Sequence, residues 1–336
     1  MVVPLERWRV KISVRTFAWH DLITFYRFRN RVVITDSAQA LTRGSPVGPL
    51  AFISHFNPSM GIYTCIQSSS DGPLPLVGQV QYNAGDRSAR VAYLLPDEGL
   101  NQPGMVELLE RLAVQAGSWG AFHLLAEAEE GSYALEGLRR SGFSVYAWQR
   151  IWKFAHDSQR ATNGHIPATN GNNQDCLWRP AASVDEFAIR SLYQSLVPPL
   201  VQSAEPLTTR RLSGWVYRQD GEIMAYVEGN HGPNGIYLQP LIHPAMENTS
   251  QAVSNLLAHQ RNPLGRPIYL AVRSYQAWLE TVVNDLECQI GPRQALMAKH
   301  LVIEQRAAVR VGRQSVLEKY AAEPSGPMVH NATRQE

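Results

Sequence analysis

Hydrophobic and polar positions between Leu76 and Phe154 follow two different periods. Short runs with apolar residues at alternate positions, bounded by turn residues, predict β-strands, whereas apolar residues three and four apart predict an amphipathic helix. Pro96 ends one of the strands, because proline donates no hydrogen bond to a β-ladder. The predicted elements are strands at 77–82, 89–95, 121–126, 143–148 and 150–154, the last two as a closing hairpin, and helices that begin at Gly104 and Tyr133.

The hydrophobic patterns before and after residues 76–154 predict further strands and helices. The later elements repeat the same order. Before this stretch, we predict strands at 11–15, 50–54 and 61–67 and a helix at 19–29. After it, we predict strands at 178–180, 214–218, 222–227, 235–242, 267–272 and 297–303, and helices at 185–196, 250–260 and 275–283. Pro96 is matched by Pro244 and Lys153 by Lys299 in the later copy. The sequence therefore predicts an internal duplication.

The division into domains follows from a change of composition after Phe154. Asparagine and glycine dominate the stretch that follows, which is typical of a flexible linker. We predict an N-terminal domain at 1–155, a linker at 156–176, a C-terminal domain at 177–304, and a basic helix with a disordered tail at 305–336.

Two groups of apolar side chains predict where the chain packs. Aromatic residues that alternate at strand spacing predict packing in a core or between the domains, and they are Tyr146, Trp148, Trp152 and Phe154. The predicted core face of the helix at 185–196 consists of Phe187, Ile189, Leu192 and Tyr193.

Composition and charge narrow the functional classes. An apolar fraction of 44% is ample for a packed core, and a net charge of +2 is too balanced to indicate a nucleic-acid partner. The three cysteines are scattered without a CxxC pair, which argues against disulfides and zinc and favours a reducing cytoplasm. The histidines form no metal-ligand pattern, no run approaches the roughly 18 apolar residues of a membrane span, and the charged first segment does not resemble a signal peptide. We expect a cytoplasmic protein with no metal, no nucleic-acid partner and no membrane partner.

Several residues of the first half resemble the motifs of the GCN5-related N-acetyltransferase (GNAT) superfamily. The matching positions are Leu94-Leu95-Pro96 at a strand end, Gly104 at a helix entry, Leu108 and Leu109 within that helix, Ala134, and Gly142-Phe143. The resemblance implies an α/β fold with two tandem GNAT-like domains, each a mostly antiparallel mixed sheet flanked by helices.

The resemblance also implies acetyl-CoA as a substrate. A helix N-terminus offers free N–H groups and partial positive charge to a pyrophosphate. The residues implied to bind it in the first half are Leu94, Leu95, Asn101, Gln102, Gly104 and Met105. In the second half the corresponding loop contributes Ser250, for which a simple N-cap is the alternative. We expect CoA in the N-terminal domain.

Catalytic residues are harder to place, since Leu138 occupies the position where the family often has a tyrosine acid. Glu127 follows a strand and could serve as a general base, although carboxylates are also favourable near a helix N-terminus. Tyr133 could replace the missing acid, with a buried aromatic as the alternative.

The function implied is acyl-CoA-dependent N-acylation of a small-molecule or peptide amine. Two other functions are compatible with the same residues: a non-catalytic scaffold or acyl-CoA sensor, and an aminoacyl transferase that uses charged transfer RNA. The acceptor, the acyl group and the oligomeric state are left open by the sequence.

Overall fold

The computed structural model describes residues 12–45, 61–69, 74–154, 178–207, 212–260, 262 and 264–301. The predicted strand at 50–54, the predicted linker at 156–176 and the predicted helix and tail at 305–336 lie outside these residues. The domain boundaries therefore stay a prediction. For clarity, residues 12–154 are called the first half and residues 178–301 the second half.

The first half begins with a strand, short helices and a meander. Its elements are β1 Ile12–Thr16, a 3-10 turn Trp19–Asp21, α1 Leu22–Phe28, β2 Val33–Ile34, α2 Ser37–Arg43, β3 Ile62–Ser69, β4 Leu76–Gln81, β5 Ser88–Leu95, a 3-10 turn Asp97–Gly99, α3 Gly104–Ser118, β6 His123–Glu129, α4 Tyr133–Arg140 and β7 Ser144–Phe154. Helix α3 packs on β3 and β4, where its buried Leu108 and Leu112 reach the space beside Gly78.

The second half repeats this order. Its elements are β8 Trp178–Pro180, a 3-10 turn Ser183–Asp185, α5 Glu186–Leu196, α6 Pro199–Ala204, β9 Gly214–Gln219, β10 Glu222–His231, β11 Ile236–Ile242, α7 Thr249–His259, β12 Ile268–Arg273, a 3-10 turn Ser274–Gln276, α8 Trp278–Asn284, β13 Gln289–Ile290 and β14 Gln294–His300. None of the helices in the described part of the chain is long and apolar enough to cross a membrane.

The strands of both halves join in one 14-stranded sheet. Its order is β1-β3-β4-β5-β6-β14-β7-β12-β11-β10-β9-β8, with β2 paired to β5 and β13 paired to β7. Most neighbours are antiparallel, and the pairs β5–β6 and β11–β12 are parallel. The predicted α/β class, with a mostly antiparallel mixed sheet flanked by helices, is confirmed.

Each half supplies a strand to the sheet of the other. Strand β14 of the second half lies between β6 and β7, antiparallel to both. The later part of β7 in turn lies between β12 and β13 of the second half. Gln149 and Gln294 are paired at the crossing point, where Gln149 Nε2 donates to Gln294 Oε1 at 2.9 Å. Neither half can complete its sheet alone.

The exchanged strand β7 carries large side chains into the core of the second half. Trp152 is fully buried there together with Phe154, and Trp152 Nε1 donates to Asn284 Oδ1 at 2.8 Å. Burial of such a side chain contributes about 1.5–3 kcal/mol. The prediction that these aromatics pack in a core is confirmed, but the predicted hairpin at 143–154 is wrong. The segment is a single strand of 11 residues, because β14, β12 and β13 of the second half pair along its whole length.

The duplication is also visible in a repeated ion pair. The guanidinium of Arg15 donates to both carboxylate oxygens of Asp21 at 2.6 Å, and Arg179 contacts both oxygens of Asp185 at 2.7 and 2.6 Å. Each aspartate also accepts the backbone N–H of the residue three before it. This repeated R-x-x-A-x-x-D spacing ties each opening strand to the turn before its helix. Sequence reasoning missed this signal.

Some predicted details differ in the structure. Helices α2 and α6 were not predicted, since each is short and shows no amphipathic pattern. Phe187, predicted to lie in the core, is 83% exposed, whereas Ile189 and Leu192 of the same helix are buried.

The strand exchange predicts that the two halves depend on each other. If a protease site is inserted within residues 156–176 and cleaved, we expect the two fragments to remain associated through β7 and β14. Size-exclusion chromatography and urea unfolding of the nicked chain measure this. Expressed separately, each fragment should fail to fold cooperatively, and two independently folded, non-associating fragments would contradict the exchange.

Candidate functional site

Each half contains a gap where two parallel strands part. Strands β5 and β6 pair only from Ser88–Arg90 to His123–Leu125, and β11 and β12 pair only from Ile236–Leu238 to Ile268–Leu270. Beyond these residues the strands diverge toward their carboxyl ends, which is where ligands commonly enter a parallel sheet. The two gaps are equivalent in the duplicated plan, so they can be compared directly.

The gap of the first half is filled by the chain itself. Strand β2 pairs antiparallel with Tyr93 and Leu94 of β5. The next residue, Thr35, hydrogen-bonds to both strands. Its N–H donates to Ala92 O of β5 at 3.1 Å, and its carbonyl accepts the Glu127 N–H of β6 at 2.9 Å. The backbone groups that face this gap are therefore already paired.

The gap of the second half is bridged by a side chain. The amide of Gln276 accepts the Ile242 N–H at 2.9 Å through Oε1 and donates to Pro240 O at 2.9 Å through Nε2. These two bonds imitate those of a neighbouring strand. Gln276 is only 2% exposed. The second gap is thus held by one side chain, while the first is held by a backbone segment.

The helices that begin beside the two gaps also differ in whether their first backbone amides are hydrogen-bonded. At α3, the amides of Met105 and Val106 donate to Gln102 O and Pro103 O, each at 3.1 Å. At α7, the amides of Ser250 and Gln251 form no hydrogen bond to any described residue, and Asn248 before them has φ +50°. Unpaired backbone N–H groups in the first turn of a helix can bind an anion. The first turn of α7 is therefore able to bind an anion through the amides of Ser250 and Gln251.

A cleft between the halves lies next to the second gap. It consists of two adjoining cavities of about 410 and 370 Å³. Their shared lining is Asp86, Ser88 and Arg90 of the first half with Glu228 and Gln239 of the second half. The larger cavity also reaches Pro240, Leu241 and Tyr275 at the second gap.

A carboxylate that is 13% exposed holds the two halves together at the floor of this cleft. Glu205 accepts from Arg90 Nη2 at 3.0 Å and from Arg273 Nη2 at 3.1 Å. Tyr193 donates its hydroxyl to the Glu205 carbonyl at 2.6 Å. Burial opposes the ionisation of Glu205, but Arg273 and Arg90 outweigh it and lower its pKa to about 2. Glu205 is therefore a fixed negative charge rather than a proton acceptor.

Two other titratable groups of the cleft, Glu228 and Tyr275, have pKa values that are raised instead of lowered. Glu228 is exposed toward the cavities, but partial desolvation, followed by repulsion from Glu205, raises its pKa. Burial also raises the pKa of the Tyr275 phenol to about 12. A carboxylate with a raised pKa is a better base, and a tyrosine with a raised pKa keeps its proton at neutral pH. The cleft thus contains one group that can accept a proton and one that stays protonated.

The sequence-based catalytic candidates are not brought together. Glu127 is buried, lines the smaller cavity and accepts from Ser37 N–H at 3.0 Å and Gln149 Nε2 at 3.1 Å. Burial and then Asp36 raise the pKa of Glu127. Tyr133 is 55% exposed at the start of α4 and outside the lining of the cleft. It is therefore not the buried aromatic that was the alternative interpretation.

The predicted CoA-binding residues of the first half surround the closed gap. Leu94, Leu95 and Met105 are buried in apolar clusters, whereas Asn101 is exposed. Gly104 is packed so closely that a Cβ would lie 2.7 Å from Gln67 Cδ, and Gln102 precedes the paired amides of α3. In the second half, Ser250 is exposed within the first turn of α7. The N-cap position is occupied by Asn248, so the alternative interpretation of Ser250 as the N-cap is wrong.

Sequence reasoning missed the residues that form the cleft: Arg90, Glu205, Glu228, Arg273 and Tyr275. The available signal was a charged residue inside an otherwise apolar strand, as at Arg90 and Arg273. Such residues are rarely buried unless they are paired. The pairing itself joins distant segments, which local patterns do not reveal.

Comparisons with known proteins agree with this architecture. No protein-family model and no curated protein matches the chain. Among solved structures, a GCN5-related N-acetyltransferase from Sphaerobacter thermophilus is 11% identical with a TM-score of 0.50, over 86% of this chain and 95% of that one. A conserved protein of unknown function from Staphylococcus epidermidis ATCC 12228 is 10% identical with a TM-score of 0.43, over 67% and 91%. A tandem GNAT protein from the clavulanic acid biosynthesis pathway is 14% identical with a TM-score of 0.42, over 86% and 98%.

The first of these likenesses shows that the chain has the GNAT fold, as its motifs predicted. It extends over most of both halves. At this level of identity the likeness concerns the fold alone.

The charge arrangement of the cleft floor predicts a large stability effect. Glu205→Gln leaves Arg90 and Arg273 together without their anion, and we expect a loss of about 3–5 kcal/mol in the free energy of unfolding, measured by urea denaturation near neutral pH. The exposed pair of Arg31 and Glu98, 2.9 Å apart, provides a control, since Glu98→Gln should cost less than about 1 kcal/mol.

The difference in the free energy of unfolding between wild type and Glu205→Gln depends on pH. The folded-state pKa of Glu205 lies near 2, below its ordinary value of 4.5, so its stabilising contribution is present above 4.5 and is lost as the pH falls toward 2. The difference between wild type and Glu205→Gln should shrink across this window. A constant difference over that range would contradict the assignment.

Proposed function

We propose that the protein is an acyl-CoA-dependent N-acyltransferase whose donor site is the gap between β11 and β12. The observation that carries the proposal is the contrast between the two gaps. The first is closed by the backbone of Val33–Thr35, whereas the second is closed only by the Gln276 side chain and lies beside free amides of α7. This differs from the sequence-based preference for CoA in the N-terminal domain.

The residues at the second gap suit such a donor. When bound, acyl-CoA supplies an activated acyl group as a thioester. The Ser250 and Gln251 amides would hold its phosphates, and the Pro240 carbonyl and Ile242 amide would pair with its peptide-like arm once Gln276 turns away. Glu247 is an unfavourable neighbour, since a carboxylate repels phosphate. Its backbone N–H donates to Gln219 Oε1 at 3.3 Å.

The cleft supplies the proton transfers of the reaction. Glu228 takes a proton from the attacking ammonium or amine, so that the nitrogen lone pair is free to form the new C–N bond. Tyr275 gives its phenolic proton to the sulfur as the C–S bond breaks, and solvent restores that proton later. General acid–base groups of this kind contribute about 10²–10⁴-fold to a rate. Arg273 and Arg90, fixed by Glu205, shape the wall against which the acceptor lies.

The first half has a supporting role in this proposal. Its gap is closed, and Arg90 and Asp86 contribute to the acceptor side of the cleft. Glu127 lies behind this wall, where its carboxylate accepts from Ser37 and Gln149 rather than facing the second gap. Neither the sensor nor the transfer-RNA function has an observation of its own in the described residues.

A pair of substitutions distinguishes the two possible donor sites. Ser250→Glu places a carboxylate at the α7 entry, where it repels phosphate while remaining favourable to the helix. We expect it to weaken acetyl-CoA binding by roughly tenfold or more, measured by isothermal titration calorimetry. The matched control is Asn101→Glu, which is exposed just before α3 and should leave the affinity unchanged. The reverse pattern would move the donor to the first half.

A second pair of substitutions tests the acid. Tyr275→Phe should lower kcat by about 100-fold without changing the affinity for acetyl-CoA, because only the phenolic proton is removed. The measurement is CoA-thiol release from acetyl-CoA in the presence of an amine library. Tyr133→Phe is the matched control, since Tyr133 is exposed outside the cleft. Full activity of Tyr275→Phe, or loss of activity in Tyr133→Phe, would refute the assignment.

A further inference from the structure

Helix α1 presents a surface that the proposed function does not use. We propose that this surface docks the protein on an anionic lipid bilayer. The juxtaposition that supports it is a row of exposed apolar side chains beside arginines that have no acidic partner in the described ranges. The sequence-based expectation of no membrane partner considered only long apolar runs, and a surface of this kind contains none.

The outward face of α1 is apolar where a surface helix is ordinarily polar. The helix buries Phe25 and Phe28 in an apolar cluster with side chains of the sheet. On its other face and on the turn before it lie Trp19, Ile23 and Tyr26, which are 69, 81 and 57% exposed. Their spacing of four and three residues places them in one row, which is called here the α1 ridge.

Positive charge lies directly beside the α1 ridge. The guanidinium carbon of Arg29 is 3.8 Å from the centroid of the Tyr26 ring. Arg27 and Arg29 are exposed, and neither forms an ion pair within the part of the chain that the structure describes. Arg31, which follows, is instead paired with Glu98 at 2.9 Å. The α1 ridge is therefore accompanied by two arginine charges that are not neutralised locally.

The sequence concentrates positive charge in the same region. Residues 1–31 contain seven Lys and Arg against two Asp and Glu, whereas the whole chain has 31 against 29. The one acid within residues 19–31 is Asp21, which is 4% exposed and holds the guanidinium of Arg15 with both carboxylate oxygens. An anionic surface in contact with α1 thus meets positive charge and no exposed carboxylate from this segment.

This combination favours a bilayer over another macromolecule. Tryptophan and tyrosine concentrate at the interface between membrane and water, and arginines beside them are attracted by anionic headgroups. Ile23, the most exposed side chain of the α1 ridge, has no ring for base stacking and no hydrogen-bonding group, but it gains free energy in the acyl boundary of a bilayer. The α1 ridge lines neither cavity of the cleft, so docking and catalysis use different residues.

The equivalent helix of the second half provides an internal comparison. Phe187 of α5 corresponds to Ile23, since each lies two residues after the ion-paired aspartate of its half, and it is 83% exposed. The arginine of α5, Arg190, is paired with Glu186 at 2.8 Å. Helix α5 therefore combines apolar exposure with a neutralised arginine, and we expect docking through α1 only.

Vesicle sedimentation of the full-length chain tests the docking. The two probes are vesicles of phosphatidylcholine alone and vesicles of phosphatidylcholine mixed with phosphatidylserine. We expect binding to the mixed vesicles to be about tenfold or more tighter, and to weaken as sodium chloride is added, because salt screens the arginines. No binding to the mixed vesicles, or equal binding to both, would overturn the proposal. Binding to polyuridylate or polyglutamate without binding to vesicles would overturn it as well.

Matched substitutions locate the surface. Ile23→Ser should weaken binding to the mixed vesicles roughly fivefold or more, and the double variant Arg27→Gln with Arg29→Gln about tenfold or more. Phe187→Ser and Arg190→Gln are the controls and should leave vesicle binding unchanged, so equal losses in the controls would contradict docking through α1. The affinity for acetyl-CoA should be the same in all four variants, which keeps this test separate from that of the proposed function.

Discussion

The exchange of strands between the two halves is the constraint on which the rest of the structure depends. Strand β14 completes the sheet of the first half and β7 completes that of the second, so both sheets must form together. The crossing at Gln149 and Gln294 fixes how the halves face each other. That orientation brings Arg90 of the first half against Glu205 of the second. A cleft lined by both halves is therefore a direct result of the sheet topology.

The two equivalent gaps are closed in different ways. The first half uses its own backbone, from Val33 to Thr35, to satisfy the diverging strands. The second half uses only the amide of Gln276. A backbone segment cannot leave without unfolding part of the sheet, whereas a side chain can rotate. The two gaps of the duplicated structure are thus closed in different ways, the first by backbone and the second by one side chain.

The sequence predicted the local elements well and the long-range contacts poorly. Alternation and helical spacing located β5, α3, β6 and α4, and motif resemblance led to the correct fold. The same patterns could not show that β7 is one continuous strand, because its partners come from residues far along the chain. For the same reason they did not reveal the bridge between Arg90, Glu205 and Arg273, nor the segment at Thr35 that closes the first gap. Residues implied by motif position alone, such as Gly104, were placed on the closed side.

A crystal structure of the full chain with acetyl-CoA tests the central claim most directly. We expect density for the phosphates at the first turn of α7 and for the extended arm between β11 and β12, with the Gln276 side chain turned away from Pro240 and Ile242. Density at the first turn of α3, with Val33–Thr35 displaced from β5, would contradict it. So would a second gap still bridged by Gln276 at saturating ligand.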